Sequence, residues 1–168
     1  MALYKEKVKF IEAIQYRVIG NDQIIRPGHT SPSSENRYVG LLVYSNEHPS
    51  VPTTITDNDR DEVKAMEVSV ADYPSYSRCN ITYTRSEGFD TPTLDTTNND
   101  RMFSWNKDEI HFRTVDEAGG WGTIIGFALF SSLSGGNPIY WGSLTSTVSA
   151  QQDTVPLIKA HNLVLEIK

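Results

Sequence analysis

A mostly β fold, an antiparallel β-sandwich of jelly-roll-like form with one N-terminal helix, is what this 168-residue sequence predicts, and three observations carry the prediction. Residues 121–144 read as a β-hairpin with a glycine-rich reversal. Counting its arms, about six to eight short strand-like stretches are joined by polar loops, as in sandwich and jelly-roll domains. Aromatic residues make up 10% of the chain, which favours strands over a helical bundle.

The hairpin is the element around which the rest is arranged. Its first arm sets Ile125, Phe127 and Leu129 on one face and Ile124, Gly126, Ala128 and Phe130 on the other. A strand apolar on both sides must be covered on both sides. The connection ends in Gly135-Gly136-Asn137, residues that reach positive φ cheaply, and Pro138 to Leu144 returns as the second arm.

Residues 3–15 repeat apolar side chains at three- and four-residue spacing (Leu3, Tyr4, Val8, Phe10, Ile11, Ile14) between lysines and glutamates, the pattern of an amphipathic helix docked on its own domain. Residues 27–36 are turn-formers. Residues 38–44 form a strand apolar on both faces, and residues 45–60 return to loop composition. Residues 61–72 fit a helical face through Val63, Met66 and Val70, and fit strand alternation through Met66, Val68 and Val70; a short helix is the expectation. Residues 76–84 alternate as a strand, with Cys79, Ile81 and Tyr83 opposite Arg78, Asn80 and Thr82. Residues 88–101 form a polar connection, and further strand-like stretches follow at 109–114, 148–158 and 163–167. No repeat or second core interrupts this order, so residues 1–168 are expected to form one domain.

Lys and Arg number 15 against 21 Asp and Glu, a net charge of −6. Neither nucleic acid nor an anionic membrane attracts such a chain, and no nucleic-acid or membrane partner is expected. The longest apolar run, residues 124–130, is too short to span a bilayer. Residues 1–14 interleave Lys5, Lys7 and Lys9 with apolar residues, unlike a secretory signal, so synthesis and folding in a cytoplasm are expected. The lone Cys79 excludes an internal disulfide and a multi-thiolate metal site, and is expected as a small buried hydrophobe.

Chemistry is scarce. His29, His48, His111 and His161 are scattered, with no two within a helical turn or strand repeat, so no metal site and no cofactor are expected. Asp57, Asp59 and Asp61 alternate like the first ligands of a calcium loop. Glu62 occupies the glycine position and Val68 the bidentate-glutamate position, which leaves solvated charge as the reading. Gly119-Gly120-Trp121-Gly122 precedes a strand where phosphate binding needs a helix. No nucleophile elbow, phosphate loop or metalloprotease helix is present, and no catalytic residue is assigned.

The Trp121-Gly122-Thr123 opening, the Phe127-Ala128-Leu129-Phe130 strand, the Ser134-Gly135-Gly136-Asn137 turn and the Trp141-Gly142-Ser143-Leu144-Thr145 exit carry a resemblance. So do Val148, Asp153, Ala160 and Leu163, and upstream Tyr38-Val39-Gly40-Leu41 and Tyr76-Ser77-Arg78. Together they resemble a family of small bacteriophage virion proteins often described as tail or tail-fibre proteins. Gln152 and His161 stand where that family has glycine. A non-glycine in a left-handed turn costs about 1 kcal/mol, so a rebuilt last turn is one expectation.

The resemblance implies a non-enzymatic virion structural protein of the tail, neck or tail-fibre attachment region. It implies other virion structural proteins as partners, a homo-oligomer in a symmetric assembly, and contact through loops and sheet edges. Tyr44, Tyr73, Tyr76 and Trp105, on or beside the loops, are the interface candidates, with packing inside the fold as their alternative. Three other readings stand beside it: a capsid-decorating or head-fibre protein, a carbohydrate-binding host-recognition module suggested by the aromatics, and a small hydrolase.

Overall fold

In the computed structural model, residues 21–22, 33–34, 36–54, 56–81, 93–94 and 102–167 are described. The helix expected over residues 3–15 lies outside them. The described residues are mostly β with antiparallel pairing and one short helix. They gather into two compact units, one from the described parts of Met1–Arg37, Ile81–Ile110 and Ile158–Lys168, the other from Tyr38–Asn80 and His111–Leu157.

The second unit is built on the expected hairpin. β3 (Tyr38–Val43), β4 (Cys79–Asn80), β8 (Gly122–Phe130) and β9 (Pro138–Ala150) form an antiparallel sheet in the order β4-β3-β8-β9. Along the β3–β8 ladder Gly40 pairs with Ala128 and Leu42 with Gly126 on one face, while Val39 pairs with Leu129 and Leu41 with Phe127 on the other. Both sets are buried, so the double-sided apolar pattern has the consequence it must have. One face packs a core of Leu42, Val51, Val63, Met66, Ile125, Ala128, Phe130 and Trp141. Gly126 permits this closeness, because a Cβ there would lie 2.5 Å from Val51 Cγ2 and 2.7 Å from the Gly142 carbonyl oxygen.

The helix, α1, spans Asp57–Met66 and begins four residues before the expected start. Thr56 is its N-cap: the Thr56 hydroxyl accepts from Asp59 N (3.2 Å), while the Asp59 carboxylate accepts from Thr56 N (2.8 Å) and from the Thr54 hydroxyl (2.8 Å). This reciprocal box satisfies the open amides of the first turn. The alternating aspartates that mimic a calcium loop are thus a cap and a solvated first turn. Val63 and Met66 supply the buried stripe, and Glu67 leaves the helix in extended conformation.

The first unit holds β1 (Asn21–Asp22) paired with β2 (Ser33–Ser34), and a three-stranded sheet of β11 (Val164–Ile167), β6 (Met102–Trp105) and β5 (Thr93–Leu94). Asn106 ties its turns together. Its side-chain amide donates to the carbonyls of Asp108 (2.7 Å) and Lys159 (2.9 Å), and its Oδ1 accepts from Leu163 N (2.8 Å). β7 (Ile110–His111) pairs with β10 (Leu157–Ile158) in a separate two-stranded ladder.

Several sequence expectations need correcting. The strand expected over 109–114 is paired only at Ile110–His111, and within the described part of 76–84 only Cys79–Asn80 are strand. The stretch 148–158 divides into the end of β9 and the short β10. The last turn is not rebuilt: His161 keeps the left-handed conformation at φ 64°, as does Asp153 at 61°.

Candidate assembly surface

Three features of the Tyr38–Asn80 and His111–Leu157 unit set what it can offer a partner: a pinned turn, a hydrogen-bonded glutamate, and a long outer strand. The turn is residues 131–137, between β8 and β9. Gly135 and Gly136 take positive φ of 62° and 72° there, and a Cβ on Gly136 would lie 2.4 Å from the Ser132 hydroxyl oxygen. Arg78 holds the turn from beneath. Its Nη1 donates to the carbonyls of Ser132 and Gly135, both at 2.7 Å, and its guanidinium lies 3.4 Å from the centre of the Phe130 ring.

The other side of the guanidinium meets Glu67. Nε donates to Oε1 at 2.7 Å and Nη2 to Oε2 at 2.6 Å, the two-pronged geometry that suits arginine to carboxylates. Tyr76 completes the cluster by donating its hydroxyl to Glu67 Oε1 (3.0 Å) and accepting from Leu41 N (3.0 Å). Burial, followed by the adjacent Glu67 charge, pushes the Tyr76 phenol well above its usual range. Gly40 makes room: a Cβ there would sit 2.8 Å from Glu67 Oε1 and 2.9 Å from Phe130. Beside the cluster runs an open groove of about 620 Å³, with Val70 and Leu133 exposed on it.

Glu117 anchors a second network. Ser75 donates to it through both its amide (2.9 Å) and its hydroxyl (2.5 Å), and the Trp121 indole donates at 2.9 Å. The Ser75 hydroxyl is the leading cause that lowers the Glu117 carboxyl to about 2. The Trp121 indole meets the Tyr76 ring edge to face at 5.3 Å. The Glu117 carboxylate thus ties Ser75 to Trp121 just ahead of β8.

The outer strand is β9, which ends the sheet on one side and is 13 residues long. Its register on β8 runs from Gly126↔Ser143 directly to Ile124↔Val148. Four residues of β9, 144–147, therefore bulge opposite Ile125 alone. Residues 145–149 are exposed. The opposite edge, β4, has two residues only.

The four aromatic candidates are dispersed. Tyr44 is 49% exposed; its amide donates to the Thr123 carbonyl (2.8 Å), which places it beside the start of β8. Tyr73 is half-buried, and its carbonyl accepts from Tyr76 N (2.9 Å). Tyr76 is 1% exposed and belongs to the core, because its hydroxyl is needed between Leu41 and Glu67. Trp105, in the other unit, is half-buried in β6 opposite Val164, with its ring 6.1 Å from that of His161.

Glu67, Ser75 and Glu117 are not among the sequence-predicted site residues, and Arg78 is expected only on the strand face opposite Cys79, Ile81 and Tyr83. The signal for Arg78 was the Tyr76-Ser77-Arg78 element itself. Cys79 is half-buried, its thiol donates to the His111 carbonyl, and burial pushes it up to about 11, so it is a poor nucleophile at neutral pH. Among the described residues no three His, Cys, Asp or Glu side chains gather as a metal site, and no helix is long and apolar enough to cross a membrane.

Residues 30–166 match the family described as Podophage GP4 fiber I protein gp80. No curated protein matches the chain.

Proposed function

Because the chain belongs to the podophage GP4 fiber I protein gp80 family, and so to a family of phage fibre proteins, we propose that it is a non-enzymatic virion structural protein of the tail, neck or tail-fibre attachment region. It assembles there with other virion proteins, and with copies of itself, through sheet edge and turns. The observation that carries this reading is the family match over residues 30–166.

The geometry supports it from a second direction. The two central strands of the four-stranded sheet, β3 and β8, are buried on both faces, and the β8–β9 turn is pinned by a buried arginine. A unit rigid in these two ways loses little conformational freedom when it docks. The polar groups that could serve chemistry, Glu67, Arg78, Ser75 and Glu117, are spent on holding that frame.

Mass spectrometry of gradient-purified particles tests the proposal. The chain is expected among the virion proteins at a fixed copy number set by the particle's symmetry. Its absence from infectious particles would refute the structural role. A copy number in the hundreds would move it from tail or neck to a capsid-decorating position.

A further inference from the structure

The outer strand of the four-stranded sheet is a long edge guarded by neither charge nor shortness, and only by its bulge at residues 144–147. Proteins guard long edges with lysines, prolines, inward charges, bulges or short strands. The opposite edge, β4, is guarded by its length of two residues. Between Pro138 and Ala150, β9 carries no Asp, Glu, Lys, Arg or His, in a chain whose residues are 21% charged. Its proline stands at the first position, out of the way.

The order of residues along this edge is nearly the same in both directions. Residues 143–149 read Ser-Leu-Thr-Ser-Thr-Val-Ser, symmetric about Ser146 except that leucine answers valine. In an antiparallel ladder between two copies centred on Ser146, Ser143 stands opposite the second copy's position 149, Leu144 opposite 148, and Thr145 opposite 147. Every cross-strand pair is then like with like: aliphatic on aliphatic, threonine on threonine, serine on serine. Such self-complementarity about a point is what a two-fold, isologous interface requires.

Structure and charge agree with the sequence here. Residues 145–149 are exposed, Val148 at 49%, and residues 144–147 have no partner of their own on β8. Each copy carries a net charge of −6, so two copies approach best where neither presents charge. The occupant that fits is therefore a second copy of this same strand.

We infer that residues 143–149 of β9 pair antiparallel with the same residues of a second copy, about a two-fold axis at Ser146. The inference rests on the fibre reading for its biological setting and specifies one contact within it. Backbone hydrogen bonds supply the attraction, and the side-chain symmetry sets the register.

The test uses the purified full chain and measures mass by sedimentation velocity across its soluble concentration range. Wild type is expected at the mass of two chains, or an even multiple. The double variant Thr145→Lys with Thr147→Lys sets lysine opposite lysine twice and is expected to halve that mass. Thr145→Lys with Thr147→Glu sets lysine opposite glutamate twice and is expected to restore it, which separates pairing from misfolding. A wild type that stays single or forms a trimer overturns the inference, as does a double-lysine variant that keeps the wild-type mass while circular dichroism shows it folded. None of these outcomes bears on whether the chain is a virion protein, which particle composition decides.

Discussion

Arg78 reaches Glu67 through two parallel hydrogen bonds of 2.6 and 2.7 Å, with side chains only 6% and 13% exposed, and with its remaining nitrogen it holds two carbonyls of the β8–β9 turn. One residue thus joins the end of α1, the sheet and the turn. Breaking a buried pair from one side strands the other charge, which costs about 3 to 5 kcal/mol. Arg78→Ala is expected to lose that much in urea denaturation. Arg78→Met combined with Glu67→Leu should lose distinctly less, because no charge is left alone.

The cap on α1 carries a separate and smaller share. Thr56→Ala removes the acceptor for Asp59 N, and the loss expected from denaturation curves is about 1 kcal/mol. Asp61→Asn, on an exposed side chain outside the cap, should change stability by less than about 0.5 kcal/mol.

His161 holds a conformation that suits glycine, at φ 64°. Replacing it with glycine relieves about 1 kcal/mol of backbone strain and gives up its ring contact with Trp105. A small net gain in melting temperature is expected. A fall instead would show that the ring contact outweighs the strain.

Glu117 sets a pH dependence whose sign follows from its lowered carboxyl. An unfolded glutamate titrates near 4.3, and the folded one at about 2, so the folded form favours the ionised state. The resulting stability is complete above the unfolded value and is lost as pH falls toward 2. Asp59, lowered chiefly by the Thr56 hydroxyl, contributes in the same direction. Glu117→Gln should be less stable than wild type at neutral pH and show a shallower loss between pH 4.5 and 2, read from denaturant midpoints at each pH.

The hairpin was legible because its pattern is local: apolar residues on both faces of residues 124–130 and two glycines in the turn. The helix began early because Thr56 and Asp59 cap it, whereas the apolar repeat that betrays a helix starts only at Val63. The strand Met102–Trp105 was missed because it is short and its partners, Val164–Ile167 and Thr93–Leu94, are distant in sequence. The Arg78 cluster was hidden for a further reason. A charged residue in an alternating stretch reads as solvent-facing, and only the fold shows that Glu67 and two carbonyls wait behind it. Among the aromatic candidates, sequence could not separate Tyr76, which has buried partners for its hydroxyl, from Tyr44, which is exposed.

Electron cryomicroscopy of the intact particle shows directly whether the chain is part of it and where. Density that fits the four-stranded sheet with its β8–β9 turn is expected on the tail, neck or fibre-attachment region, repeated by the symmetry of that region. A particle whose density is fully assigned to other chains, with none left for this one, would contradict that expectation.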